Sequence, residues 1–341
     1  MLFILVILCG AASAALTGMV RAYALKHQLL DTPNERSSHT IPTPHGGGLA
    51  VLAASILGMG LGVATHIIDA REALTLTAGI VALGTVGWID DTKGSLPGLR
   101  LAVQISVACW TLYMLGGLPE IRLGTTTYVI GRTGYILGVL GIVWSINLYN
   151  FMDGIDGFAG SQAVIIFGTV AILSLYKGNG SVAAVAAILA AACVGFLIWN
   201  WPPAKIFMGD VGSGSIGYLV CGLAISSENN RSVPLFVFAI LGSIFIADAT
   251  ATLIRRVARG SRTIEAHRDH AYQRLAQTFG SHKPVTVAAA GATSVLAVLA
   301  TVGTVSPRLL PAAFIDACIF VGMLLYFSER IATLGKNRKA N

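Results

Sequence analysis

Long apolar runs alternate with short polar segments along the whole chain. Stretches of roughly 16 to 25 mostly apolar residues, the length that crosses a hydrocarbon layer, fall at about 1–24, 47–68, 73–89, 97–117, 134–149, 157–176, 181–199, 213–226, 233–254, 284–304 and 308–328. The pattern predicts an all-α polytopic integral membrane protein with about eleven transmembrane helices. The eighth run is short and carries glycines at 214, 217 and 222. Between the fourth and fifth runs, the segment Glu120 to Thr133, with a Thr-Thr-Thr-Tyr-Val-Ile stretch before Gly131, predicts a small outer hairpin.

Charge gives the orientation. With the first helix running outside to inside, the outer segments hold Arg71, Arg122, Arg132, Lys177, Arg231 and Arg308, and the rest of the 23 basic residues face the cytoplasm. Basic loops stay cytoplasmic, so the N-terminus is expected outside and the C-terminus in the cytoplasm. No charge precedes Arg21 in the first run, whereas a cleaved signal peptide carries its positive charge first; an uncleaved helix is therefore expected. The inner loops then lie near 25–46, 90–96, 150–156, 200–212 and 255–283, on a single transmembrane domain spanning 1–341.

Composition agrees: 55% hydrophobic residues, 11% charged and a mean hydropathy of +0.73 exclude a water-soluble globule. The net charge of +7 reads as a topology signal with attraction to anionic membrane lipid, and nucleic acid is not an expected partner. The cysteines at 9, 109, 193, 221 and 318 all lie in apolar stretches without ligand spacing, so neither disulfides nor zinc are expected.

The acids, amides and histidines concentrate in those inner loops. Carboxylates at a membrane edge are costly, and a cluster of them is a functional-site hypothesis. Asp90 and Asp91 follow Trp88-Ile89 at the inner end of the third helix, where two adjacent acids at the negative end of a helix dipole call for a cation. Asn147, Asn150, Asp153 and Asp156 recur at every third residue. Such a series drifts by about 60° per step around a helix, so its ends cannot share one face; Gly154 and Gly157 are expected to break the helix and fold the last acids inward. Asp210, in Gly-Asp-Val-Gly-Ser-Gly, suits a helix N-cap and equally a metal ligand. Phe207, three residues earlier, suits either stacking on a planar base or anchoring at the bilayer edge.

Two further loops offer groups for anions. Arg36, Ser37, Ser38 and His39 precede Pro42-Thr-Pro-His-Gly-Gly-Gly48, whose glycines serve either close approach to a ligand or close helix packing. The fifth inner loop is the most basic, and His267-Arg268-Asp-His270-Ala-Tyr-Gln-Arg274 puts two histidines among arginines, where an anion is favoured over a transition metal.

These motifs, in this order, resemble the bacterial polyprenyl-phosphate N-acetylhexosamine-1-phosphate transferases, of the glycosyltransferase family 4 type. The resemblance spans nearly the whole chain. The 267–275 run is closest to the O-antigen-initiating branch, which includes transferases for N-acetylfucosamine- and N-acetylquinovosamine-1-phosphate; the N-acetylglucosamine-1-phosphate transferase is the near alternative. The histidine-containing fifth loop of the phospho-N-acetylmuramoyl-pentapeptide transferases is absent.

The resemblance implies an inner-membrane enzyme working at the cytoplasmic face, moving a sugar 1-phosphate from a UDP-N-acetylhexosamine to undecaprenyl phosphate, releasing UMP and starting a lipopolysaccharide or related envelope glycan. It implies Mg2+ or Mn2+ on Asp210 and Asp91. Catalytic candidates are Asp90, Asp91, Asp153, Asp156, Asp210, His267 and His270, and substrate-binding candidates are Arg36, His39, Asn147, Asn150, Phe207, Arg268 and Arg274. A homodimer is a candidate assembly. An ion-coupled transporter is the reading from another class, but its acids belong near mid-bilayer, where only Asp248 and Asp316 lie. A structural membrane subunit would need no acid cluster.

Overall fold

A computed structural model describes residues 1–33, 41–94, 97–258, 260 and 269–340, excepting the side chains of 91–93 and 335–340. Of the site candidates, Arg36, His39, His267, Arg268 and the Asp91 side chain lie outside the described residues. The fold is that of an all-α polytopic membrane protein. Its helices are α1 (Leu2–Lys26), α2 (Gly48–Ala64), α3 (Ala70–Lys93), α4 (Pro97–Leu115), α5 (Thr133–Met152), α6 (Phe158–Tyr176), α7 (Gly180–Asn200), α8 (Asp210–Asn229), α9 (Leu235–Leu241), α10 (Ser243–Ala258), α11 (Ala271–Phe279), α12 (Lys283–Val305) and α13 (Leu310–Ala340). The expected outer hairpin is present, β3 (Glu120–Leu123) pairing antiparallel with β4 (Thr126–Val129). A second, two-residue pair joins β1 (Leu30–Asp31) to β2 (Thr43–Pro44).

Each predicted apolar run coincides with one of these helices or, for 233–254, with the α9–α10 pair, bent by 71° at Gly242. Among the described residues, eight helices are long and apolar enough to cross a membrane, or nine if the bent pair is one span. Helix α2 falls short in length, and α8 is not among the eight.

The reason for α8 is its position. It packs against α2, α3, α4, α5, α6, α7 and α9, and almost every residue from Val211 to Glu228 is buried. A helix wrapped by protein needs small residues that let backbones approach, rather than large apolar ones facing lipid. A Cβ on Gly217 would lie 2.2 Å from the Ser145 carbonyl oxygen, and the Ser145 hydroxyl donates to the Gly217 carbonyl at 2.7 Å. The lipid-facing residues are elsewhere, with Phe3, Ile7 and Leu8 of α1, Tyr113 of α4, and Ile315, Ile319 and Phe327 of α13 all exposed.

That contact yields a prediction. Gly217→Ala should force α5 and α8 apart and cost about 1–3 kcal/mol, seen as a lower thermal-unfolding midpoint in detergent. Gly168→Ala, inside α6 where nothing lies within 4 Å of an added Cβ, should keep or slightly raise the midpoint; equal midpoints for both variants would contradict the packing role.

Candidate active site

Four helix ends, those of α3, α4, α5 and α8, meet at one point, and glycines allow the closest approach. Asp90 lies in the last turn of α3 and Asp210 opens α8. Between them, a Cβ on Gly87 would sit 2.8 Å from the Val211 nitrogen and Cα, so the two helices touch through backbone. The N-cap of α8 is Gly209, at φ +77°, a conformation that favours glycine. Asp210 is therefore the first helical residue and not the cap, and its carboxylate is directed to side chains. The 46–48 glycines act mainly in packing. The Gly47 and Gly48 amides donate to the Phe207 and Met208 carbonyls at 2.9 and 2.8 Å, and a Cβ on Gly48 would meet the Gly212 Cα at 2.3 Å. The Phe207 amide donates in turn to the Pro44 carbonyl at 2.8 Å, fixing the loop ahead of α8.

At the junction, one guanidinium nitrogen of Arg100, on the first turn of α4, lies 2.5 Å from Asp90 Oδ2 and 3.0 Å from Asp210 Oδ2. The Asn150 amide donates to Asp210 Oδ1 at 2.6 Å and contacts the Ser213 hydroxyl at 3.2 Å. The Asp90 side chain is only 7% exposed, and its Oδ1 has no hydrogen-bond partner among the described residues. Among the described residues, two carboxylates share one guanidinium here, and Asp90 keeps unfilled acceptor capacity. Buried like charges persist only with compensation, and an oxygen-rich, net-negative donor set of this kind fits Mg2+ or Mn2+. Among the described residues, no cluster of three or more His, Cys, Asp or Glu occurs, and the Asp91 side chain lies outside them.

The Asn147–Asp156 series fans out as its angular drift requires. Helix α5 ends at Met152, Asp153 is its C-cap, and Gly157 at φ +69° starts α6. Asn147 donates to Gln104 of α4 at 2.9 Å, while Asn150 reaches Asp210. Asp156 points the other way, with Oδ2 accepting from the Ala204 amide at 3.0 Å and Oδ1 lying 3.1 Å from His282 Nδ1. Asp156 and Phe207 share a cavity of about 540 Å³, also lined by Thr43, Gln277, His282 and Lys283. A cavity of that volume is large enough for a small-molecule ligand.

The basic loop behaves differently. His270 is buried, with Nδ1 3.5 Å from Asp248 Oδ1 and its ring between those of Phe151 and Tyr272. Asp248, on α10, accepts the Ala271 amide at 2.9 Å and the Tyr272 amide at 3.1 Å. The Tyr272 hydroxyl donates to the Phe151 carbonyl at 2.9 Å, where Gly154 leaves room for it. Burial pushes the Tyr272 phenol well above its ordinary pKa, and the nearby Asp248 and Asp153 charges push it further. Arg274 pairs with Glu329 of α13, as does Arg255; this partner raises the Arg274 pKa and keeps it charged. His270 and Arg274 thus seat the loop against α10 and α13.

Arg100, Gln104, Asp248 and His282 are the site and support residues that sequence reasoning did not select. Arg100 had a signal, a cation ten residues after Asp90, but a basic residue at an inner helix end reads first as a topology marker.

The fold and this junction define a membrane-embedded helix bundle with carboxylates gathered at one end. The glycosyl transferase family 4 model matches residues 73–228, the stretch that carries Asp90, the 147–157 run and Asp210. The chain is 30% identical over 276 residues to the probable undecaprenyl-phosphate N-acetylglucosaminyl 1-phosphate transferase of Bacillus subtilis (strain 168), covering 79% of this chain and 75% of that protein. It is 32% identical over 307 residues to the decaprenyl-phosphate N-acetylglucosaminephosphotransferase of Mycobacterium leprae, with 79% and 75% covered. With the phospho-N-acetylmuramoyl-pentapeptide-transferase of Streptomyces coelicolor it shares 30% identity over 274 residues, with 66% and 74% covered. The chain belongs to glycosyl transferase family 4, and it is a membrane phosphotransferase.

Proposed function

We propose that the protein transfers an N-acetylhexosamine 1-phosphate from a UDP-sugar to undecaprenyl phosphate at the cytoplasmic face of the bacterial inner membrane, releasing UMP. The observation that carries this reading is the Asp90–Arg100–Asp210–Asn150 junction, three residues along the chain from Phe207 and the cavity of about 540 Å³. The topology proposed with it has eleven spans, the N-terminus outside, and one domain with its catalytic loops inside.

Attack of a phosphate monoester on a pyrophosphate brings like charges together, so positioning and charge neutralisation dominate the chemistry. Asp210 and Asp91, with Asp90 alongside, are the proposed holders of Mg2+ or Mn2+, which would supply charge neutralisation for the donor's pyrophosphate. Asn150 orients the Asp210 carboxylate. Phe207 takes the uracil face in the cavity, with Asp156 held beside it by Ala204 and His282. Arg36, His39, His267 and Arg268 supply donors to phosphate oxygens. The acceptor phosphate is already largely ionised near neutrality, which leaves little work for a general base.

Two sugars compete. The similarity to proteins named for N-acetylglucosamine transfer supports that sugar, and the 267–275 run supports an O-antigen-initiating enzyme acting on N-acetylfucosamine or N-acetylquinovosamine. Mass spectrometry of lipid products from a panel of UDP-N-acetylhexosamines separates them.

The reaction class has its own test. Donor carrying phosphorus-32 in its sugar-proximal phosphate should pass the label to the lipid while unlabelled UMP leaves, and added UMP should drive the reaction backward because one pyrophosphate replaces another. Label released as UDP would mean glycosyl transfer and would remove the class proposed.

A further inference from the structure

Arg100 has a geometry that a simple structural tie does not require. A single guanidinium nitrogen lies within bonding distance of both carboxylates, 2.5 Å from Asp90 and 3.0 Å from Asp210, and so occupies the space between them. Among the described residues, one guanidinium meets both carboxylates, and Asp90 Oδ1 is buried without a hydrogen-bond partner. The Arg100 side chain is 27% exposed, so solvent and ions reach the guanidinium. A guanidinium and a divalent cation on the same two oxygens would repel at contact distance, while either alone is attracted.

We infer that Arg100 is the resident counter-cation of the Asp90–Asp210 pair and competes with the divalent cation for it, so that ion entry and release of Arg100 are one event. This rests on the metal reading above. It makes Arg100 a positioning residue that keeps the pair assembled when no ion is bound and sets how tightly an ion is held.

The full chain in detergent tests this with Mn2+ as the probe, titrated by electron paramagnetic resonance. Arg100→Gln should bind Mn2+ roughly tenfold more tightly, the scale of a charge-assisted contact that no longer has to break. Its thermal midpoint should fall in EDTA and recover when Mn2+ is added. In the native protein, Mn2+ should speed modification of Arg100 by phenylglyoxal, read by peptide mass spectrometry. A permanent tie between α4, α3 and α8 predicts the opposite pattern, with Mn2+ affinity unchanged or weaker in Arg100→Gln and labelling unchanged or slowed by the ion. Either result overturns the inference, and the labelling decides it alone if Arg100→Gln fails to fold. A native protein that binds no Mn2+ would sink the metal reading and this inference together. Binding without any response at Arg100 would sink only the latter.

Discussion

Asp210→Asn is expected to insert and fold normally while losing turnover by about three orders of magnitude. The substitution keeps the shape, and the Ser213 hydroxyl remains within reach of Asn150, so stability should change little. What disappears is one of the two negative charges that meet at Arg100. With that charge gone, the pair no longer has the capacity to hold a divalent cation, and Arg100 is satisfied by Asp90 alone. Formation of lipid-linked sugar pyrophosphate, measured against the thermal midpoint of the same preparation, checks both halves. Turnover within tenfold of the native enzyme would remove Asp210 from the metal role. Asp91→Asn is expected to behave similarly, with Asp90→Asn equally or less severe. Asn150→Ala should be milder, since it removes an orienting amide and no charge.

Much of the fold was legible because lipid imposes one simple requirement, an apolar run of sufficient length. Every run matches a helix or the bent α9–α10 pair. Helix α8 was the least legible because it meets protein instead of lipid, and its glycines and serines encode contacts such as Gly217 on Ser145 rather than hydropathy. The candidate patches were legible as costly polar residues in an apolar chain, and Asp90, Asn150 and Asp210 do converge from three helices. Their partners were not. Arg100 becomes part of the site only when α4 is folded against α3 and α8, and no linear spacing carries that information. Asp210 suited an N-cap in sequence, yet Gly209 takes that position and frees the carboxylate for Asn150 and Arg100. The local pattern of 267–274 likewise says nothing of α10 and α13, which receive His270 and Arg274.

Asp248→Ala should be the most damaging change away from the Asp90–Asp210 junction. In sequence Asp248 is an acid inside an apolar span, the kind of residue that suggests ion transport. Folded, it is buried and accepts the amides of Ala271 and Tyr272, with the Thr252 hydroxyl at 3.2 Å and His270 Nδ1 at 3.5 Å. It thereby caps the start of α11 and pins the loop immediately after His267 and Arg268. Alanine leaves two buried amides without an acceptor and should cost about 3–5 kcal/mol. Asparagine supplies one acceptor oxygen for two donors, so Asp248→Asn should fold better and still loosen the loop. A loop displaced by even an ångström can cost about 100-fold in rate. The Asn variant should therefore show a raised KM for the UDP-sugar and a lowered kcat, with KM for undecaprenyl phosphate near native. A loss confined to stability, with both KM values and kcat retained per folded molecule, would make Asp248 purely architectural. A selective rise in KM for the lipid would instead place the 267–274 loop on the acceptor side of the reaction.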